Sequence, residues 1–277
     1  MYEAFYGLRE KPFTIQPDPD FLYFGKRHSL AFTMLQYGVE NRVGFTVICG
    51  EVGCGKTTLV RHLLNTLGQG LTVGLVSNTH QDIADLQEWV LLAFGLPYDG
   101  MTPVARYDAF QRFLIQEFAA GRRVVLIVDE AQNLSSGALE SLRMLSNINA
   151  DKDQLLQVIL VGQPELRAKL QQPELRQFAQ RVGVDFFLPP LTPEEVAKYV
   201  QHRLHVAGRE EPLFTDEALT LIAQATGGIP RSVNILCDMT LVYGFGADMA
   251  TIDSPLVLEV LADRRNFGVL EVDLPLE

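Results

Sequence analysis

The stretch GEVGCGKTTL (50–59) has the residue types and the spacing of a phosphate-binding loop. It fits the pattern G-x-x-x-x-G-K-[ST], in which backbone N–H groups and a helix N-terminus face an anion. Lys56 is expected to reach the β- and γ-phosphates of a nucleotide, and the Thr57 hydroxyl is expected to hold Mg²⁺. The predicted nucleotide-binding residues are Gly50, Glu51, Val52, Gly53, Cys54, Gly55, Lys56, Thr57 and Thr58.

A second chemical group ends the stretch VVLIVDE (124–130). Its apolar residues predict a buried parallel strand, and ligands of open α/β sheets bind at the carboxyl ends of such strands. Asp129 suits the coordination sphere of Mg²⁺, and Glu130 can polarise a water for in-line attack on the γ-phosphate. A pure switch needs no such base and a kinase would need an acceptor site, so the predicted use of the nucleotide is hydrolysis.

The elements that must position these groups alternate along the first two thirds of the chain. Apolar, β-branched runs predict strands, and apolar residues at helical spacing predict helices. The predicted strands are 45–49, 71–77, 124–130, 156–162 and 184–188, and the predicted helices are 56–67, 82–94, 106–120 and about 136–148. This alternation predicts a three-layer α/β domain with a parallel sheet, placed at residues 1–190.

The pattern changes at LPPLTPEE (188–195). Thr192 has the type and place of an N-cap, with Pro193 at the first helical position and Glu195 as the partner in a capping box. Only helices are predicted after it, at 193–207, 215–226, 230–245 and 254–264. We therefore predict a small all-helical domain over 191–265, followed by an acidic tail over 266–277.

Composition and charge narrow the class of protein. No apolar run reaches the roughly 18 residues of a membrane span, and the first residues lack the pattern of a signal peptide. The net charge of −11 gives no basic footprint of the kind that nucleic-acid binders show. The three cysteines have no spacing typical of a metal site, and Cys54 is interpreted as a small filler residue rather than a reactive thiol. A reducing cytoplasm is the expected setting.

The N-terminal segment is dense in aromatic residues, namely Phe5, Tyr6, Phe13, Phe21, Tyr23 and Phe24. We expect this segment to pack on the α/β core and to help close the pocket for the base. His28 is a candidate contact to adenine or its ribose, and a packed or solvated ring is an equal alternative. His202 and His205 lie one helical turn apart, but the sequence offers no third ligand nearby, so no metal is predicted there.

An α/β nucleotide domain followed by a helical lid resembles the AAA+ ATPases. The resemblance implies that Gln163, in LVGQPEL, senses the γ-phosphate and that Arg231, in GGIPRSVNILCD, is the second sensor. Arg181 or Arg176, before the last strand, would be the arginine finger for a neighbouring subunit, with Arg181 preferred. Asn78, after the second strand, would hold the catalytic glutamate in an inactive pose. Helix capping by Gln163 and ordinary surface charges at the two arginines are the alternatives.

The resemblance narrows to the ExeA-type family. It is carried by YEAFYGLREKPF and PDPDFLYF together with GEVGCGKTTLVR, VDEAQNL, GQPEL and GGIPRSVNILCD. Membership implies ATP and Mg²⁺, a ring or helical homo-oligomer of the hexamer type, and an envelope-system protein as partner. A cytoplasmic chain that this partner recruits to the inner membrane is the expected setting. Type II secretion members continue into a membrane span and a peptidoglycan-binding domain, neither of which is expected here, and Asp185 stands where the family often has a basic residue.

Three function classes follow. The first is an oligomeric ATPase that couples turnover to assembly or regulation of a secretion, pilus or exopolysaccharide system. The second is a DNA-bound helper ATPase of the transposition type, and the third is a nucleotide-driven scaffold with very slow turnover. The acidic balance and the single lysine, Lys152, in NADKDQ (149–154) favour the first.

Overall fold

The computed structural model describes residues 1–16, 18–66, 70–77, 85–150 and 153–267. Its contacts divide the chain into two compact units. The sheet unit comprises Leu30–Gly50 and Leu59–Leu188, and the helical unit comprises Met1–Ser29, Glu51–Thr58 and the chain from Pro189 onward. Residues 268–277, most of the predicted acidic tail, lie outside the described part.

The parallel strands of the sheet unit are β1 (Phe45–Gly50), β2 (Leu71–Val76), β3 (Arg123–Val128), β6 (Leu156–Gly162) and β7 (Val182–Leu188). They lie side by side in the order β2-β3-β6-β1-β7. All were predicted from their apolar runs, and every residue of β1 and β6 is buried because helices cover both faces of a parallel sheet. The predicted polar segment before β6 contributes a short antiparallel pair, β4 (Asn149–Ala150) and β5 (Asp153–Gln154).

Helices pack around this sheet through their apolar faces. They are α2 (Lys56–Thr66), α3 (Leu86–Ala93), α4 (Pro103–Ala119), α5 (Ser136–Leu145), α6 (Pro164–Leu170) and α7 (Arg176–Ala179), after α1 (Lys26–Glu40) at the start of the fold. The sequence reasoning missed α1, although Ala31, Leu35 and Val39 are buried at a spacing of four residues. Helix α4 begins three residues earlier than predicted because Thr102 caps it and Pro103 fits its first turn.

The helical unit contains the predicted helices α8 (Pro193–Val206), α9 (Asp216–Thr226), α10 (Pro230–Gly246) and α11 (Ser254–Phe267). The predicted capping box is present: the Thr192 hydroxyl accepts from the Glu195 N–H, and the Glu195 carboxylate accepts from the Thr192 N–H. Thr215 caps α9 through the Ala218 N–H. These caps fix the helix starts that the sequence indicated.

Most of the aromatic N-terminal segment lies in the core of the helical unit rather than with the α/β domain where we expected it. Tyr6, Phe13 and Phe21 are buried there, whereas Phe5 and Phe24 are exposed. Phe13 packs edge-on against Phe214 with ring centroids 6.0 Å apart. The Arg203 guanidinium lies 4.7 Å from the Phe21 ring centroid, and its Nε donates to the Pro12 carbonyl. A small bundle of helices has little core of its own, so large aromatic side chains from the segment complete it.

Candidate nucleotide site

The phosphate loop, residues 50–58, follows β1 and leads into α2, as predicted. Three of its carbonyl oxygens, those of Glu51, Gly53 and Cys54, accept hydrogen bonds from other groups of the protein. The Glu51 carbonyl accepts from the Lys56 ammonium at 2.9 Å and from the Cys54 N–H at 3.2 Å. The Gly53 carbonyl accepts from the Arg231 N–H at 3.2 Å. An anion is repelled by carbonyl oxygens and attracted by N–H groups, so tying these oxygens to other donors suits a loop that receives phosphate.

Two glycines of the loop have backbone conformations that other residues rarely adopt. Gly53 has φ +83° and Gly55 has φ +90°. A Cβ on Gly53 would lie 2.6 Å from the Arg231 Cβ and 3.2 Å from the Ile229 Cγ2. Glycine is therefore required at position 53 both by the backbone and by the close approach of the start of α10.

His28 is buried and touches the phosphate loop. Its Nε2 lies 3.0 Å from the Cys54 carbonyl oxygen, and because a carbonyl only accepts, Nε2 carries the proton. Burial lowers the pKa of His28, which favours the neutral ring and makes Nδ1 an acceptor. Nδ1 is buried and has no partner among the described residues. The solvated alternative for His28 is therefore excluded, and a base contact remains a proposal.

Cys54, in the middle of the loop, is fully buried. Burial raises the pKa of its thiol to about 11. A thiol, unlike a thiolate, is a poor nucleophile, so this residue has the properties of a packing group. This agrees with the interpretation of Cys54 as a filler residue.

The pattern Gly-Gly-x-Pro-Arg at 227–231 has a structural explanation in the helical unit. Gly227 ends α9 with φ +57°, and Gly228, at φ +72°, packs so closely that a Cβ would lie 2.0 Å from the Leu191 carbonyl oxygen. Pro230 opens α10. Arg231 then offers its backbone N–H to Gly53, while its side chain is exposed. The pattern thus places an exposed guanidinium on the same residue as a backbone contact to the phosphate loop.

In the sheet unit, the carboxyl ends of β1, β3 and β6 share one edge because these strands are parallel neighbours. Gly50 ends β1, Asp129 and Glu130 follow β3, and Gln163 follows β6. The Asp129 Oδ1 accepts from the Glu130 N–H at 2.9 Å, and Glu130 has a left-handed backbone with φ 52° and ψ 38°. The strands therefore bring the predicted acids and the predicted sensor to the same edge.

Gln163 contacts Glu130 directly. Its Nε2 donates to the Glu130 Oε2 at 3.0 Å. Gln163 occupies the N-cap position of α6 but makes no capping hydrogen bond with its side chain, so helix capping does not explain its side chain. Gln132 was not singled out from the sequence, yet its Nε2 also donates to the Glu130 Oε2, at 2.6 Å. The only signal in the sequence was its position two residues after the acid.

Arg181, the preferred finger candidate, lies far from this edge. Arg181 directly precedes β7, and the start of β7 pairs with the start of β1. A strand of this length spans about 20 Å, so Arg181 lies near the opposite edge of the sheet. Its side chain is exposed and its Nη1 donates to the Ser146 hydroxyl at 3.3 Å. Arg176 begins α7 and is also exposed, as is Asp185 in β7.

The remaining predicted residues are placed as follows. Asn78 lies outside the described residues. The His202 ring contacts the Tyr23 ring with centroids 5.7 Å apart, and the His205 Nδ1 lies 2.8 Å from the Glu210 carboxylate. In the part of the chain that the structure describes, no helix combines the length and the apolar character that a membrane crossing requires.

The sequence matches a protein family model and a known secretion protein. Residues 39–170 match the family model described as an AAA domain. General secretion pathway protein A of Aeromonas hydrophila is 44% identical over 246 residues, which are 88% of this chain and 45% of that protein. The chain therefore spans less than half the length of this relative.

Solved structures with a similar fold include two ORC proteins of Aeropyrum pernix. ORC2, in its ADPNP-ADP complexes, has a TM-score of 0.62 at 16% identity over 92% of this chain and 75% of that chain. ORC1, in complex with DNA, has a TM-score of 0.65 at 16% identity over 92% of this chain and 69% of that chain. At such identities the likeness concerns the fold alone.

Proposed function

Because the chain belongs to the ExeA-type AAA+ ATPase family, we propose that it binds ATP with Mg²⁺ at the phosphate loop and hydrolyses it. The observation that carries the proposal is the phosphate loop, whose carbonyl oxygens at Glu51, Gly53 and Cys54 all accept from protein donors. A loop organised in this way suits an anionic ligand. The ADPNP-ADP complexes of ORC2, which has a similar fold, support the assignment of a nucleotide as that ligand.

Each residue has a role that follows from its chemistry. Lys56 neutralises charge on the β- and γ-phosphates. Thr57 and Asp129 would hold Mg²⁺, which screens the phosphate charge when it is bound. Glu130 takes the proton of the attacking water and orients it. The exposed Arg231 guanidinium pairs with phosphate from the start of α10.

One contact from a glutamine and one from a histidine complete the proposed site. Gln163 donates its amide N–H groups to the γ-phosphate. His28 keeps its proposed contact to adenine or its ribose, because its ring lies against the phosphate loop with Nε2 on the Cys54 carbonyl oxygen. Asn78 keeps its proposed role of holding Glu130 in an inactive pose.

The experiment that tests hydrolysis replaces the base. Glu130→Gln keeps the shape of the side chain but removes its basicity, so this variant should bind ATP with wild-type affinity and turn it over roughly 100-fold more slowly. Release of phosphate and binding of a fluorescent ATP analogue are measured in parallel. Glu165→Gln, an exposed acid on α6, is the matched control and should match the wild type. Wild-type turnover by Glu130→Gln would rule out Glu130 as the base.

We further propose that the chain acts as a ring or helical homo-oligomer of the hexamer type. It would couple turnover to assembly or regulation of an envelope-associated secretion, pilus or exopolysaccharide system, on the cytoplasmic side of the inner membrane. The supporting observation is the 44% identity to General secretion pathway protein A. A pull-down with Glu130→Gln and ATP, which should trap the engaged state, identifies the partner.

A DNA-bound helper ATPase is the second candidate, because ORC1, which has a similar fold, was solved in complex with DNA. The net charge of −11 weighs against it. A mobility shift of duplex DNA with a non-hydrolysable ATP analogue, repeated at rising salt, separates the two candidates. A salt-sensitive shift favours the DNA-bound helper, and the absence of a shift favours the envelope system.

A further inference from the structure

Gln132 is hydrogen-bonded both to Glu130, the proposed base for the attacking water, and to Gln163, the proposed contact to the γ-phosphate. Its Nε2 donates to the Glu130 Oε2 at 2.6 Å, and its Oε1 accepts from the Gln163 N–H at 3.1 Å. A carboxylate only accepts and a backbone N–H only donates, so these two bonds together fix which end of the amide is the oxygen. The side chain therefore bridges the ends of β3 and β6.

The backbone around Gln132 is held from the other side. The Lys169 ammonium donates to the carbonyls of Gln132 and Leu134, each at 2.6 Å. These bonds fix the short 3-10 helix Ala131–Asn133 that follows Glu130. The left-handed backbone of Glu130, with φ 52°, is strained for a residue with a Cβ, and such a conformation persists where the surroundings hold it in place. The backbone of Gln132 is thus held in a fixed position next to Glu130, whose own backbone is strained.

The Glu130 Oε2 accepts from two amides, Gln132 and Gln163. Gln163 is the one that the proposed function assigns to the γ-phosphate, so its bond to Glu130 competes with phosphate. Gln132 has no such second role. We infer that Gln132 is a positioning residue: it holds the Glu130 carboxylate in place when Gln163 turns to the γ-phosphate. The inference rests on the proposed ATP hydrolysis.

Two substitutions separate the contacts of Gln132. Gln132→Met keeps the length of the side chain and removes both hydrogen bonds. Gln132→Glu keeps an acceptor for the Gln163 N–H but turns the donor toward Glu130 into a second carboxylate. Both variants should lower kcat roughly tenfold or more with the affinity for ATPγS changed less than about threefold, because a hydrogen bond to a charged group is lost. Gln116→Ala, an exposed glutamine on α4, is the matched control.

A second measurement reports on the bridge without turnover. The ratio of the ADP to the ATPγS dissociation constant should fall about twofold in Gln132→Met, because Gln163 loses the acceptor that orients it, and should stay unchanged in Gln132→Glu. Circular dichroism checks that both variants fold. A glutamine that acts through the Glu130 carboxylate should also lose its effect on kcat when Glu130→Gln is already present.

Three results would overturn the inference. They are a wild-type kcat in Gln132→Met, an equal fold-loss from Gln132→Met in the Glu130→Gln background, or the same change of the affinity ratio in both variants. If the wild type itself releases no phosphate from ATP, the proposed function fails instead. The two failures are therefore distinguishable in one set of assays.

Discussion

Lys56 carries the one formal positive charge within residues 50–58. Its ammonium donates to the Glu51 carbonyl at 2.9 Å and the side chain is buried, so it is already directed into the loop. Lys56→Ala should weaken ATP binding roughly 100-fold, because a charge-assisted contact to two phosphates is lost. Titration with a fluorescent ATP analogue measures this loss.

The control for this prediction is Lys198→Ala, which removes an exposed lysine of α8 in the same unit. It should bind the analogue as the wild type does. Normal affinity in Lys56→Ala would refute the phosphate site itself, because no other residue of the loop can supply the charge.

At the scale of elements, one ion pair joins the end of α4 to the sheet. The Glu117 carboxylate accepts from the Arg122 Nε at 2.8 Å and from its Nη2 at 2.5 Å, and the Thr72 hydroxyl of β2 also donates to it. The hydrogen bonds from Arg122 hold the pKa of Glu117 down to about 2, against the usual 4.5. The pair therefore links helix, turn and edge strand.

The sign of the pH effect follows from this lowered pKa. Between about pH 4.5 and pH 2 the unfolded chain binds the proton that folded Glu117 does not, so the stabilisation is complete above pH 4.5 and is lost as the pH falls toward 2. Glu117→Gln should lower the free energy of unfolding by about 1 kcal/mol at pH 7, allowing for the solvent exposure of Arg122. Urea unfolding at several pH values should show this deficit shrinking below pH 4.5.

The matched control is Glu140→Gln, which breaks a pair with Arg143 inside a single helix. Such a pair contributes roughly 0.2–0.5 kcal/mol. The free energy of unfolding should therefore fall less in Glu140→Gln than in Glu117→Gln, because this pair does not connect different elements. A deficit in Glu117→Gln that stays constant down to pH 3 would contradict the lowered pKa.

At the scale of the whole molecule, Arg181 lies near the sheet edge opposite to Asp129 and Gln163. The strand length separates the Arg181 backbone from the acids at the far end of the sheet by about 20 Å, so the proposed finger role is one toward a neighbouring subunit. Arg181→Ala should then bind ATP normally and lose hydrolysis about 10³-fold. Mixing it with Lys56→Ala should restore part of the activity, because the intact pocket of one chain receives the arginine of the other.

Arg176→Ala is the control for the proposed finger role of Arg181. Arg176→Ala, also exposed before β7, should hydrolyse ATP without mixing if Arg181 is the finger. Wild-type specific activity should rise with protein concentration through the range in which oligomers form. Turnover independent of concentration, with no recovery on mixing, would leave a monomeric ATPase.

The sequence by itself determined the elements and the chemistry that they carry. Apolar runs predicted the parallel strands, because a strand buried on both faces must be apolar throughout. The spacing from Gly50 to Thr57 predicted the loop, and Thr192 with Glu195 predicted the start of α8, because both patterns are local along the chain. Most of the described helices followed from the same kind of local signal.

Only the tertiary structure decided which side chains meet across the fold. It placed the aromatic N-terminal segment in the helical core, His28 on the Cys54 carbonyl, and Gln132 between Glu130 and Gln163. These contacts join residues that are distant in the sequence or whose side chains turn toward another strand. No local periodicity encodes them, because they depend on the order of the strands in the sheet and on the packing of the helices.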